Sequence, residues 1–323
     1  MPKISVIIPV YNTQKYICRC LESIVNQSLK DIEIIIVNDA SPDNSMDIVN
    51  EYALRDERIV IIDKKINEGL MCARKSGYTI AKGDYIVFCD SDDYYLPDAF
   101  DLLYKRIKET EADIVVSGYR YIKVNGDTYD RISVIPSGNK REDAFEALLR
   151  QHLPHNLWGC IFAKKMFTDY SYPCKKHLTN GEDFILFYRI IANITKIETL
   201  GIPTYAYCQN IGSATNVRMK SSTMKMIVEN RIEWYKWIRS VYNNANTIDS
   251  AMIKDIYIKL IYGYDRSVLK SLIETIQPQL NKSRIKEELG FRKELLMRVM
   301  LNNTVIHKIL TSNKYFKYML SLI

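Results

Sequence analysis

The chain is short of the residues on which several protein classes depend. Glycine (12) and proline (9) are scarce among its 323 residues, which excludes collagen-like and low-complexity sequence. No uninterrupted apolar run is long enough to span a bilayer. Met1–Val10 has one lysine and a short apolar run broken by Pro9, which reads as a strand rather than a signal peptide. Histidines number four, without metal-ligand spacing, so His152, His155 and His177 are read as structural or solvent-facing. The seven cysteines contain no CxxC pair, and Cys18 and Cys20 are too close for an obvious bridge. They are expected to be reduced thiols in a cytosolic protein. No GxGxxG follows the first apolar run and no GxxxxGK[ST] is present, which argues against a dinucleotide-dependent dehydrogenase and a P-loop NTPase.

What is present is the composition of a globular protein, 47% hydrophobic and 26% charged. The length suits one large α/β domain with an appendage. The net charge of +7 is uneven. Asn216–Ile323 carries 19 Lys+Arg against 9 Asp+Glu, which leaves 26 against 29 in Met1–Thr215. A mildly acidic first part and a basic last third imply two jobs. The basic part could meet nucleic acid, an anionic membrane surface or a partner protein. Nucleic acid is disfavoured, because no recognition motif accompanies the charge.

Strand and helix patterns alternate through the first part. Ile4–Val10, Ile32–Val37, Ile59–Ile62, Tyr85–Cys89 and Ile114–Val116 read as strands, the second as one buried on both faces. Helical spacing marks Tyr16–Ile24 with Asn12 or Thr13 as N-cap, Met46–Ala53, Gly69–Ala81 ended by Gly83, and Leu96–Ile107. Such an order predicts a doubly wound, mostly parallel α/β sheet. Ligands in these sheets bind outside the carboxyl ends of the strands. Asp39 and the cluster Asp90-Ser91-Asp92-Asp93 both fall at such ends. Asp127–Asn139 is loosely patterned and Arg141–Arg150 is helical. After Met219 the sequence is helix-dominated, with a boundary placed near Asn216–Ser222.

The acidic cluster is the most informative local feature. Its carboxylates repel one another unless a cation or donor compensates, and hard oxygen ligands suit Mg²⁺ or Mn²⁺. The alternative is a solvated turn in which Asp93 or Asp98 caps the next helix. Asp39 is either a turn or cap residue or an acceptor for a ligand N–H. Asn67-Glu68-Gly69 followed by Arg74 places helix N–H groups and a guanidinium where a phosphate could sit. Asp183 is either an N-cap for Phe184–Ile191 or a general base.

Taken together these pieces resemble the family-2 glycosyltransferases of the GT-A fold. The resemblance is carried by Ser5-Val6-Ile7-Ile8-Pro9-Val10-Tyr11-Asn12 and by Val37-Asn38-Asp39-Ala40-Ser41-Pro42-Asp43-Asn44-Ser45. It continues in Asn67-Glu68-Gly69 with Ala73-Arg74, and in Ala81-Lys82-Gly83-Asp84-Tyr85 leading into Asp90-Ser91-Asp92-Asp93. It covers the first 120 residues well and continues more weakly to Thr215. The resemblance implies that Pro9, Tyr11 and Asp39 hold a nucleotide base, with Asn67 and Arg74 near the nucleotide. Asp90, Ser91 and Asp92 match the family's DxD motif, with Asp90 near the ribose and the metal's water shell and Asp92 on Mn²⁺ or Mg²⁺ and the diphosphate. Asn180-Gly181-Glu182-Asp183-Phe184 matches the Glu-Asp motif. There Asp183 would be the general base, with Glu182 orienting the acceptor or without a role. Trp158, in Asn156–Phe162, matches a Trp near the acceptor, although a core Trp reads the same way.

Two departures from the family pattern stand out. Asn38 occupies a place where the family often has an acid. In Tyr205–Ser213, Cys208 and Asn210 replace residues that are often Arg and sometimes His. Lys176, His177, Arg218 or Lys220 could supply a substitute charge.

The implied organisation is a catalytic domain over 1–218 and a basic helical region over 219–323. Within the first, 1–120 binds the nucleotide sugar and 121–218 the acceptor. The implied activity is an inverting, metal-dependent hexosyltransfer from a nucleotide-diphosphate sugar, UDP-linked by preference, to a saccharide or lipid-linked acceptor in surface-polysaccharide assembly. A non-catalytic nucleotide-sugar-binding scaffold is the alternative. A nucleotidyltransferase is less favoured, because it needs a Gly-rich basic loop where Pro9–Asn12 stands. In Arg292–Ile323 six Lys/Arg face one Glu, with Leu, Met, Tyr and Phe interleaved. That segment reads as a contact for the inner face of an anionic membrane, or as a packed subdomain or homodimer surface.

Overall fold

The computed structural model describes residues 1–135, 138–168, 174, 176–178, 181–210, 221–261 and 275. Its chain forms two compact units, Met1–Val217 and Arg218–Ile323. The expected boundary at 216–222 falls mostly outside the described residues, as do Asn180, Arg218, Lys220 and Arg292–Ile323.

The first unit runs β1 (Ile4–Val10), α1 (Ile17–Val25), β2 (Ile32–Asn38), α2 (Ser45–Ala53), β3 (Ile59–Asp63), α3 (Leu70–Ile80), β4 (Tyr85–Phe88), β5 (Tyr94–Tyr95) and α4 (Ala99–Thr110). It continues through β6 (Ile114–Ile122), β7 (Thr128–Arg131), α5 (Arg141–Leu149), β8 (Cys160–Ala163), a 3-10 turn (Lys164–Met166), α6 (Glu182–Ile191) and β9 (Ile197–Cys208). The sheet order is β3-β2-β1-β4-β8-β6-β9-β5, with β7 beside β6. The expected α/β sheet is therefore present. Strands β3, β2, β1 and β4 are parallel, and β6 is parallel to β9. Strand β8 enters antiparallel between β4 and β6.

Every residue of β1 and β2 is buried, as near-continuous Ile/Val runs require of strands covered on both faces. Alternation then splits the core. Val6, Ile8, Ile34, Ile36 and Val87 pack with Ile17, Leu21 and Ile24 of α1 and Phe100 and Leu103 of α4. The opposite face takes α3, where Gly77 lets the helix approach so closely that a Cβ would lie 2.4 Å from Ile7 Cγ2. Pro9 is tolerated in a central strand because β4 pairs only as far as Ile7.

Several local expectations are corrected. The N-cap position of α1 is Tyr16, and Asn12 instead adopts a left-handed conformation at φ 55° with its N–H on Ser41 Oγ. Helix α4 starts at Ala99, so the acidic cluster is not its cap: Asp98 sits at the N-cap position without a side-chain bond, and Asp93 is buried elsewhere. Helix α3 ends at Ile80; Gly83 instead lies against Ser5 and donates its N–H to Ser5 Oγ and Glu33 Oε1.

The expectation that all cysteines are reduced thiols is also corrected. Cys72 of α3 and Cys174 form a disulfide across 102 residues, with Cα atoms 5.1 Å apart. Their separation in sequence hides a proximity that only the tertiary fold creates.

In the second unit, α7 (Ser221–Val241) and α8 (Ala245–Ile261) form a helical hairpin. Trp234, Tyr235 and Ile238 are buried, as are Ile248, Met252 and Ile256. Asp249 accepts from Tyr235 Oη at 2.8 Å and pairs with Arg239 at 2.6 Å. Among the described residues no helix is long and apolar enough to cross a membrane.

Thiol labelling of denatured, air-purified protein checks the corrected cysteine state. It should modify five cysteines before reduction and seven after. Seven in both cases would remove the bridge.

Candidate functional site

Sheet connectivity brings the chemistry to one edge. The carboxyl ends of β1, β2 and β4 lie side by side, held beyond their pairing by Asp39 N–H to Val10 O and Cys89 N–H to Ile7 O, both 3.0 Å. They deliver Tyr11, Asp39 and Asp90 to that edge. Tyr11 is about half exposed at 49%, its ring open to a flat ligand.

Asp39 is buried, and protein donors engage it. Its carboxylate accepts from Gly69 N at 2.7 Å and Glu68 N at 3.1 Å, and pairs with Lys64 Nζ at 2.8 Å. The residue assigned to a base therefore also orders the Asn67–Gly69 turn, where Gly69 has φ 91°. Asn67 itself is half-buried beside these amides. The departure at Asn38 has a physical reason. Its amide donates to Asp63 Oδ1 at 2.6 Å while its carbonyl oxygen accepts from Ser41 N at 2.8 Å. An ionised acid could not donate to Asp63.

Arg74 occupies the centre. It is fully buried, one turn into α3, with Nη2 on Asp90 Oδ1 at 2.7 Å and Nη1 paired with Asp183 Oδ1. Its guanidinium carbon lies 5.8 Å from the Phe88 ring centroid. A residue expected near the nucleotide thus joins the acid after β4 to the acid that opens α6.

The Asp90–Asp93 segment is held from behind. Asp93 accepts from Tyr205 Oη at 3.0 Å and from Cys208 N at 2.7 Å, and Tyr205 Oη in turn accepts from Asp90 N at 3.1 Å. Ser91 is buried. Asn210 Nδ2 donates to Asp92 Oδ2 at 2.9 Å, so one of the two departing positions reaches the acidic cluster through an amide. Arg19, which sequence reasoning missed, donates to Asp92 O at 2.8 Å and lies over the Tyr94 ring. Of the substitute charges considered, Lys176 pairs with Glu68, and His177 donates its backbone N–H to Glu68 O at 2.9 Å.

Asp183 is not an N-cap. That position is Gly181, at φ 133°, which places Glu182 and Asp183 in the first turn of α6. The helix amino terminus favours their charge, and the Leu157 backbone also hydrogen-bonds Asp183. Burial nevertheless pushes the Asp183 carboxyl up, against the pull of Arg74. Burial and the neighbouring Asp183 raise Glu182 to about 7. Asp92 is likewise raised by burial and by Asp90.

Trp158 is 9% exposed and stacks on Tyr205 and Tyr207, with centroids 4.6 and 5.4 Å apart. It bridges to Phe88, next to the acidic segment. The acceptor residue read from the sequence is therefore also a packing residue.

Among the described residues no group of three or more His, Cys, Asp or Glu side chains forms a metal cage. Asp90 and Asp92 still fit a divalent ion. Each keeps an oxygen outside its bonds to Arg74 and Asn210, and the Asp92 carboxyl is raised by burial and then by the neighbouring Asp90 charge, which a cation would relieve. Mg²⁺ and Mn²⁺ commonly use one or two carboxylates and complete their shell with water and substrate phosphate.

Removing the central cation should leave two carboxylates facing each other. Arg74→Met should destabilise the first unit by about 2–4 kcal/mol, below the figure for fully buried pairs because Asp90 and Asp183 retain 23% and 22% exposure. Urea unfolding measures this; a loss under about 0.5 kcal/mol would mean that the pairs are not coupled to stability.

The glycosyl transferase family 2 model matches residues 5–172. The chain is 33% identical over 229 residues to glycosyltransferase GlyA of Streptococcus pneumoniae serotype 4, covering 67% of this chain and 32% of that protein. It is 29% identical over 304 residues to the poly(ribitol-phosphate) beta-glucosyltransferase of Bacillus spizizenii, covering 80% and 48%. The chain thus spans about a third and about half of these relatives. The crystal structure of S. aureus TarS 1-349 in complex with UDP-GlcNAc superposes with a TM-score of 0.73 at 18% identity, covering 97% of this chain and 91% of that one.

Proposed function

The chain belongs to glycosyl transferase family 2, and from that premise we propose that it moves a sugar from a nucleotide-diphosphate donor, UDP-linked by preference, to an acceptor hydroxyl with inversion. The acceptor class is a saccharide or lipid-linked glycan of polysaccharide assembly. The observation that supports this reading is Arg74, whose guanidinium holds together Asp90, the proposed donor-side acid, and Asp183, the proposed base. The names of the glucosyltransferase and of the UDP-GlcNAc-bound structure support the donor class.

In the proposed reaction the Tyr11 ring packs on the base, at the edge that Pro9 and Asp39 shape. Asp39 also fixes the Asn67–Gly69 turn beside it. Asp90 and Asp92 would hold Mn²⁺ or Mg²⁺, which supplies positive charge to the departing diphosphate. Asp183 accepts the proton of the acceptor hydroxyl as that oxygen attacks the anomeric carbon opposite the diphosphate. Arg74 keeps Asp183 ionised and aimed. Its fixed charge means that little reorganisation is needed as the transition state forms. Glu182, with a carboxyl near 7, shares the titration of this end of the site. Trp158 backs the acceptor side through its stack with Tyr205 and Tyr207.

The test is nucleotide-diphosphate release from UDP-, GDP- and dTDP-sugars, each with Mn²⁺ and with EDTA. Release from one donor with Mn²⁺ alone is expected. Failure of UDP to bind in the presence of Mn²⁺ would move the scaffold reading ahead.

Asp183→Asn should lower turnover by about 10²–10⁴-fold with donor affinity kept. The rate should also rise with pH, because burial raises the Asp183 carboxyl and it is a base only once deprotonated. A chemical step whose rate does not rise with pH at all would remove Asp183 from that role.

A further inference from the structure

At the pole opposite Asp39 and Asp90, the amino-terminal ends of β4 and β6 and the carboxyl end of β8 line a groove of about 1130 Å³. Its aromatic part is Tyr78 and Phe167, with ring centroids 5.4 Å apart, together with Tyr85. Its basic part is Lys82, Lys108, Lys164 and Lys165, against the acids Asp84 and Glu111.

The lysines differ in how they are engaged. Lys165 pairs with Asp113 at 2.7 Å. Lys164 Nζ donates to the carbonyl of Ala81, which uses one of its three protons and fixes the ammonium at the wall. Lys82 and Lys108 are exposed and pair with no acid among the described residues. Burial raises the Tyr85 hydroxyl, and Lys108 and Lys165 both pull it back, so their field reaches the aromatic part.

We infer that this groove is a second ligand site for an organic phosphate, separate from the Asp90–Asp183 centre. The phosphate would sit among Lys82, Lys108 and Lys164, and the apolar body on Tyr78, Tyr85 and Phe167. Lysine ammonium groups are compact phosphate-binding charges. Aromatic faces take the apolar part. Charged groups beside an aromatic wall can fix the orientation of a small anionic ligand. The same chemistry is offered by a free phosphate ester and by an anionic lipid headgroup. Binding at this groove does not require sugar transfer.

Two binding arms on the full chain, both in EDTA, test the site. One is calorimetric titration with phenyl phosphate. The other is sedimentation with vesicles of phosphatidylglycerol and phosphatidylcholine. Each is run on the natural chain and on Lys82→Glu/Lys108→Glu, with Lys82→Gln/Lys108→Gln as the milder pair should charge reversal impair folding. Binding in at least one arm, weakened ten-fold or more by the substitutions with the thermal midpoint unchanged, is expected. A phenyl phosphate response assigns a free ester, and a response to vesicles alone assigns a headgroup. Absence of binding in both arms, or equal binding by the variants, overturns the site. UDP release with Mn²⁺ should be unaffected by these lysines, so the two readings fail separately.

Discussion

A guanidinium buried between two carboxylates joins parts of the chain 109 residues apart. Burying Arg74 without anions would cost several kcal/mol. Placing Asp90 and Asp183 together without a cation would drive one of them neutral. Each side makes the other tolerable, so α3, the end of β4 and the start of α6 are fixed as a set. The position of α3 depends in turn on Gly77, because a side chain there would push the helix off Ile7 and Val37. The electrostatics of the site therefore rests on a close-packing requirement one turn further along the same buried face of that helix.

The acidic residues around this centre divide by what their oxygens meet. Asp43, Asp93 and Asp113 are saturated by backbone N–H and side-chain donors and lock loops to the sheet. Asp39 does the same for the Glu68–Gly69 turn while standing at the ligand edge. Asp90 and Asp92 are gripped on one oxygen by Arg74 and Asn210, while Asp183 is held by Arg74 and the Leu157 backbone. A carboxylate held on one side and open on the other has a fixed direction and retains capacity for a ligand. Residue type alone does not distinguish the two classes.

That distinction explains what could be read in advance. Strands β1, β2 and β4 are legible because burial on both faces writes continuous Ile/Val runs. The antiparallel insertion of β8 leaves no such trace, since its place between β4 and β6 is set by pairings with distant segments. Asp90, Asp92, Arg74 and Asp183 could be picked out from motifs in a recurring order. Their partners could not, because Tyr205 meets Asp93 across 112 residues and Asn210 meets Asp92 across 118. Such contacts have no period. The caps failed for a local reason: Tyr16 and Gly181 hold N-cap positions without side-chain bonds, so the usual Ser/Thr/Asp/Asn signal was absent where the helices begin.

The two amides at the site bear on its charge balance. Asn38 lets one side chain donate to Asp63 and accept from Ser41, and an acid would have added another negative charge beside Asp39. Asn210 holds Asp92 without neutralising it. Asp90 and Asp183 share one buried guanidinium, and Asp92 beside them is raised by burial and then by the charge of Asp90. An Arg or His at 210 would have met part of that negative charge from within the protein. A neutral amide does not, and in the proposed reaction a divalent ion on Asp90 and Asp92 would be what meets it.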